Sequence, residues 1–394
     1  MRLCASVIAI AVLSPLSAFA QTPAPAATPP ADATAAAPAA APAPAPVAAP
    51  APAAAPAAPP AKTWKDLITI DGLVDSYYLI NMSGTGTHSS LVPPVGRQFD
   101  TNSNTFTLNY AKVGIGMSAD NVALRMDLGY GSMGNIINGT NQPFVAEQAF
   151  MSVTALPNFT IDFGKFATTA GAEVIEAEKN WLYSRSFLFF NIPLVHTGLR
   201  LNYKVNDMVS VQGSLVNGWN GQGFEPDANA GKTIGLSATI APNAALSIIP
   251  TIYWGSETAA GMAGTDYRFL GDLVAAYTMG PLGLNLNFDY VQDKDAGIDP
   301  FLGVAVMGHY TINDHVNATA RAEYAQQKAA SGATTQKYEE VTVGLAMPVA
   351  GHFEVRPELR ADFSSPSAFH ESFDMMTADK GTQVTGLVAG LAYF

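Results

Sequence analysis

From residue 67 to 394, apolar side chains return at every second position, one segment after another. Period two marks a strand with two unlike faces, because successive side chains point to opposite sides of a pleated backbone. Val122, Leu124, Met126, Leu128 and Tyr130 share one face, and Ala123, Arg125, Asp127 and Gly129 the other. Phe159, Ile161 and Phe163 alternate with Thr160, Asp162 and Gly164, and Leu284, Leu286, Phe288 and Tyr290 with Asn285, Asn287 and Asp289. Between Phe353 and Phe363 the polar phase is Glu354, Arg356, Glu358, Arg360 and Asp362. A soluble sandwich also has one apolar face per strand. What sets a membrane barrel apart is that such segments run around the whole chain, long enough to cross a bilayer, with aromatics at their ends.

The alternation predicts about sixteen strands. They fall near 67–80, 106–117, 122–130, 145–155, 159–166, 197–205, 208–217, 232–240, 245–255, 267–278, 282–291, 300–310, 315–325, 337–347, 352–363 and 382–394. Short gaps such as Ser118-Ala119-Asp120-Asn121, Leu156-Pro157-Asn158 and Gly280-Pro281 alternate with longer ones rich in Gly, Asn and Ser. Short periplasmic turns and long outer loops are what a membrane barrel requires. The phase slips between Tyr110 and Val113, which predicts a β-bulge. The expected fold class is all-β, a transmembrane antiparallel barrel. At that strand number the interior is too wide for side chains to fill, so an aqueous channel is expected.

The ends agree. Arg2, the apolar run Val7 to Leu13 and Ala18-Phe19-Ala20 read as a secretory signal over residues 1–20. Cys4 lies inside it, so the mature chain has no thiol for disulfides, catalysis or metal binding. Residues 21–61 are almost pure Ala and Pro and are expected to be a disordered, polyproline-like linker. Its plain reading is a tether. A strut toward peptidoglycan is the sharper one, with no wall-binding motif to support it. Residues 62–394 form the barrel domain. They close on Val384 to Phe394, an alternating segment with a terminal aromatic. That segment is expected to be recognised by the barrel-assembly machinery of a Gram-negative outer membrane. No apolar run reaches the length of a membrane helix. The formal charge of −12 argues against nucleic acid, which needs a basic footprint.

Two sets of residues are candidates for the lumen. The third outer loop, about 167–196, carries Glu173, Glu176, Glu178, Lys179 and Arg185. Folded inward, it would narrow the pore, and Tyr183, Phe187, Phe189 and Phe190 would then find burial, unless Phe189 and Phe190 begin the next strand. The alternative is a solvated surface loop. Arg125, Arg200, Arg268, Arg321, Arg356 and Arg360 sit on the polar phase of their strands, as do Asp127, Glu323 and Glu358. Facing acidic loop residues, the arginines would set a transverse field. Otherwise they pair with neighbouring carboxylates. Carboxylates exceed arginines on this phase, so weak cation selectivity is expected. Gly129-Tyr130-Gly131-Ser132-Met133-Gly134 matches a dinucleotide-binding pattern, but Asn135 to Thr140 does not read as a helix, so the glycines suit a loop start. The histidines 88, 196, 309, 315, 352 and 370 show no metal spacing. No catalytic arrangement, metal or cofactor is expected.

Gly171-Ala172-Glu173-Val174-Ile175-Glu176, Asn180-Trp181-Leu182-Tyr183-Ser184-Arg185-Ser186, His196-Thr197-Gly198-Leu199-Arg200 and Asn217-Gly218-Trp219 follow one another after the fifth strand. In this order and spacing they resemble the OmpL-like putative β-barrel porin-2 family of bacterial outer membranes. The resemblance implies a pore-forming barrel in the Gram-negative outer membrane, in contact with lipid and passing small hydrophilic solutes and ions passively. A homotrimer is one assembly it allows. Two alternatives keep the same fold: a channel selective for an anion or a sugar, and a structural anchor of the envelope without transport.

Overall fold

The computed structural model describes residue 63 and residues 67–83, 96–138, 142–220, 230–257, 267–293, 298–328, 334–369 and 380–394. The expected signal (1–20) and Ala/Pro linker (21–61) lie outside the described residues, as do His88 and His370.

Sixteen strands form one closed antiparallel barrel in sequence order. They are β1 (Ile68–Asn81), β2 (Phe106–Ala119), β3 (Val122–Tyr130), β4 (Phe144–Leu156), β5 (Phe159–Ala167), β6 (Val195–Lys204), β7 (Val209–Val216), β8 (Thr233–Asn243), β9 (Leu246–Ser256), β10 (Tyr267–Met279), β11 (Leu282–Asp293), β12 (Ile298–Asn313), β13 (Val316–Gln327), β14 (Gln336–Ala350), β15 (Phe353–Ser365) and β16 (Thr382–Tyr393). Each lies within a few residues of its predicted span. β1 pairs with β16 from Leu73↔Tyr393 to Asn81↔Thr385, so no sheet edge is left open.

The turns on one rim follow from local chemistry. Asp120, Asn158 and Gly280 take positive φ there, the conformation that Gly, Asn and Asp tolerate best. The Asn206 side chain accepts from the N–H groups of Met208 and Val209, and that of Asn243 from Ala245 and Leu246. The predicted bulge is present, one residue before Tyr110. The β1–β2 register slips opposite Asp75 and Ser76, leaving Asn109 extra. Asn109 and Tyr110 therefore both point inward and are fully buried.

The barrel is apolar outside and charged inside. Leu124, Leu128, Leu284, Leu286, Val341 and Val343 are exposed on the outer wall, while Asp127, Asp162, Asp289, Arg321 and Arg360 are buried within. Only an apolar surrounding makes that arrangement stable. Aromatic pairs stand at both rims: Tyr78–Phe106, Tyr130–Phe144 and Trp254–Tyr267 on the loop side, Phe159–Tyr203 on the turn side. Such girdles sit at the two membrane–water boundaries.

One expectation is corrected. The stretch after Gly131 is a short helix, α1 (Ser132–Asn138), where the sequence reads as loop. Its Met133 and Ile137 are buried against the third loop's Ile175, Phe189 and Ile192 in one cluster. Tertiary burial overrides weak local propensity here. The glycines of the apparent nucleotide motif serve packing. A Cβ on Gly129 would strike the Tyr110 ring, and Gly131 takes φ +145 at the start of the loop.

A barrel closed in this way should unfold slowly, so the unboiled protein should migrate differently from the boiled one on a detergent gel. Gly72 and Phe394 exchange backbone hydrogen bonds at the seam, and a Cβ on Gly72 would meet the Phe394 ring. Gly72→Leu should cost about 1–3 kcal/mol by overpacking. The readout is a lower urea midpoint of the heat-modifiable form; an unchanged midpoint would count against this account of the seam.

Candidate functional site

The third loop, residues 168–194, folds into the barrel and crosses it. It is irregular apart from one 3-10 turn, Ala177–Lys179. At membrane depth an irregular backbone needs its polar groups satisfied by protein or water. The wall supplies the partners. Glu358 of β15 accepts the N–H groups of Tyr183 (2.9 Å) and Ser184 (3.2 Å). Glu323 of β13 accepts those of Phe187 (2.8 Å) and Leu188 (2.7 Å). Arg356 donates to the carbonyls of Ala177 (2.6 Å) and Asn180 (2.7 Å), and Arg360 to that of Arg185 (2.5 Å). Arg321 binds the Ser184 carbonyl (2.8 Å), the Glu173 carboxylate (2.7 Å) and Glu340 on the wall (2.9 Å). Charge-assisted bonds of this kind are about twice as strong as neutral ones.

The apolar half of the seat is on β1 and β16. The Tyr183 ring packs at a tilt against Tyr77 (5.7 Å) among Leu79, Leu387, Ala389 and Leu391, all buried on the inner face. Its hydroxyl donates to Asp75 (2.7 Å), and burial, with the Asp75 charge next, holds that phenol well above its ordinary range. Trp181 stacks on His309 of β12 at 5.0 Å.

The five loop candidates separate into two groups. Glu173 and Arg185 point into the loop's own packing. Glu173 takes Arg321 on one oxygen and the Ser186 N–H (2.9 Å) on the other. Arg185 donates to the carbonyls of Val174, Tyr183 and Ile175, with Phe99 and Phe189 rings beside it. Glu176, Glu178 and Lys179 lie at the turn that faces β1 to β4. Glu176 accepts from Lys112 and Lys179, both at 2.6 Å. Burial opposes its ionisation, but Lys179 and Lys112 outweigh that and hold it down at about 2.

The lumen-facing candidates on the wall are likewise partnered. Arg125 spans Asp71 and Asp127. Arg200 pairs with Asp162 (2.7 Å) under the Phe166 ring, and Arg268 lies over Trp219 at 4.8 Å. The carboxylates Glu323 and Glu358 hold loop backbone, and Arg356 and Arg360 also pair with Glu354 and Asp362 on their own strand.

Between the loop's turn and the wall lies a cavity of about 550 Å³, lined by Asp71, Lys112, Arg125, Asp127, Gln148, Phe150, Ser152, Glu178, Lys179, Tyr393 and Phe394 among others. Lys112 and Gln148 are absent from the sequence-based candidates. The bulge at Asn109 turns Lys112 inward, and a second register shift near Asp127 and Leu128 leaves Glu147 extra beside Gln148. The slip around Tyr110 carried the first of these signals. The inner apolar seat was missed too. Its signal is that β16 is apolar on both faces from Gly386 on, which a strand bordered by water on one side does not need.

Solved structures share the architecture. The chain is similar to the trimer form of OmpT of Vibrio cholerae (14% identity over 83% of this chain and 99% of that one, TM-score 0.56). It is similar to an anion-selective porin from Comamonas acidovorans (13%, 83% and 99%, TM-score 0.56). It is also similar to the outer membrane channel DcaP of Acinetobacter baumannii (12%, 83% and 97%, TM-score 0.55). At these identities the likeness is one of fold. No curated protein sequence matches the chain. The family described as "Putative beta-barrel porin-2, OmpL-like" matches residues 67–394.

Removing a wall acceptor should loosen the loop. Glu358→Ala leaves the Tyr183 and Ser184 N–H groups buried and unpaired, at about 1–3 kcal/mol each. Glu358→Gln keeps one acceptor and should cost less. Both appear as lower unfolding midpoints in urea, together with faster proteolysis within residues 168–194 for the Ala variant. Equal midpoints for Ala, Gln and wild type would show that the carboxylate does not hold the loop.

Proposed function

This chain belongs to the porin family just described, and we propose from that premise how its interior works. It is an outer-membrane porin, through which small hydrophilic solutes and ions diffuse passively. The third loop narrows the barrel, and solutes pass beside it, along β1 to β4. One observation carries the route: beside the loop's turn, which touches this wall through Glu176 and Lys112, a cavity remains that is lined by polar and charged side chains on both sides. Elsewhere the loop is fastened to β13, β15 and β16. Glu176, Glu178 and Lys179 act at the constriction, with Arg125 and Asp127 facing them. Glu173, Arg185, Arg321, Glu323, Arg356, Glu358 and Arg360 act by holding the loop in place.

The paired wall charges supply little net field, so solutes are sorted mainly by size. We also propose a homotrimer, supported by the trimer form of the similar OmpT. The strand ending at Phe394 is the segment offered to the barrel-assembly machinery, and residues 21–61 are a periplasmic spacer whose contact with peptidoglycan is incidental.

The test is reconstitution. Folded protein in planar bilayers should give discrete ion-conducting steps, and vesicles carrying it should admit small sugars faster than oligosaccharides. Folded protein that neither conducts nor admits sugars would favour the anchor reading. Removing residues 22–61 should leave conductance unchanged, and a lost or enlarged current would mean that this segment gates the pore.

A further inference from the structure

The charges around the cavity nearly cancel, and one does not. Lys112, Arg125 and Lys179 line it, as do Asp71, Asp127 and Glu178. Arg125 is bound to Asp71 and Asp127, and both lysines share Glu176, which stands behind the lining. Three cations therefore match three partnered carboxylates. Glu178 is the remainder among the groups that line the cavity; Glu147 of β4, a second carboxylate near Lys112, is fully buried under the Tyr110 hydroxyl and does not line it. The Glu178 Oε2 is buried and has no hydrogen-bond partner among the described residues. Its neighbour Lys179 has a side chain 42% exposed, and Arg125 and Asp71 across the cavity are 26% and 39% exposed. Water and ions thus reach the groups that surround the odd charge. We infer that Glu178 sets the ion preference of the passage, and that its proton switches that preference off. Ionised, it makes the passage favour cations; protonated, it leaves the surrounding charges balanced. This rests on the cavity being the solute route.

The surroundings suit a switch near neutral pH. Burial, then the Glu176 charge, push the Glu178 carboxyl up to about 7, against the pull of Lys179 and Lys112. The other groups facing it are Asp71 on β1, Arg125 and Asp127 on β3, and Tyr393 on β16, with Glu354 and Arg356 of β15 beyond that ring and Glu147 of β4 buried near Lys112. Glu176 stays ionised throughout, being held at about 2. Above the Glu178 value the passage carries one uncompensated negative charge; as the pH falls through that value, the charge is lost.

The measurement is the reversal potential of the full chain across a potassium chloride gradient, at about pH 5.5 and about pH 8.5, either side of the range where a raised carboxyl titrates. Wild type should show cation preference at the higher pH and a potential moving toward zero at the lower. Glu178→Gln, and Glu178→Ala as a second variant, should lie near zero at both. Glu147→Gln, which removes another buried carboxylate near Lys112, and His309→Gln, which removes a lumen-facing imidazole, should both keep the wild-type response. A wild-type potential that does not move with pH, Glu178 variants that move as wild type does, or a response abolished in Glu147→Gln or His309→Gln would each overturn the assignment. Absence of conductance from folded wild type would overturn the porin route and this inference together.

Discussion

Backbone that lies inside a membrane barrel without regular structure must have each N–H and C=O met by something. The third loop is such a segment, and that requirement organises the interior. A helix or strand would satisfy itself. Residues 168–194 do not, so the wall brings acceptors to their N–H groups and donors to their carbonyls. Glu358 and Glu323 each take two consecutive N–H groups, and Arg356, Arg360 and Arg321 take carbonyls. The rich charge of β13 and β15 is explained by this duty before any solute is considered. Ionised partners are what such a place calls for, because a neutral hydrogen bond offsets less of the desolvation of a buried peptide group.

The seat is also complete only when the barrel is closed. Its acceptors and donors come from β13 and β15, and its apolar floor from β1 and β16, which meet at the seam. Arg321 and Glu173 are 148 residues apart. An open sheet lacking its last strands would offer the loop neither floor nor acceptors. Closure and seating of the loop therefore stabilise one another, and the seam's Gly72–Phe394 pairing belongs to the same unit.

What could be read from the sequence was what is local. Sixteen strands, their turns and the slip beside Tyr110 are all written in period two and in the placing of Asn, Asp and Gly. So was the inward phase of Arg125, Asp127, Arg200, Arg321, Glu323, Arg356, Glu358 and Arg360. Their partners were not legible, because no periodicity says that Glu358 faces the N–H of Tyr183 rather than water. Lys112 was hidden by the bulge, since one extra residue reverses the face of everything after it. The helix Ser132–Asn138 was hidden because the apolar cluster it joins is assembled from the third loop and from strands as far away as β10. The acidic excess on the inner phase was visible, but its meaning was not. A count of charges cannot distinguish a carboxylate open to the pore from one locked against a backbone.

That distinction governs transport. A charge fully paired inside the wall contributes a short-ranged dipole, and water in a passage screens even open charges over about 8 Å at physiological salt. Arg321, Glu340, Arg360 and Asp362, all essentially buried, are therefore nearly silent to a passing ion, although they dominate any tally of the inner face. On the proposed route, the groups with a voice are those that line the cavity beside the loop: Asp71 and Arg125, already joined to each other, Lys179, joined to Glu176, and Glu178. A barrel can thus carry a heavily charged interior and still discriminate weakly between ions. On the proposed route, its selectivity rests with the residues left over after the loop has been fastened.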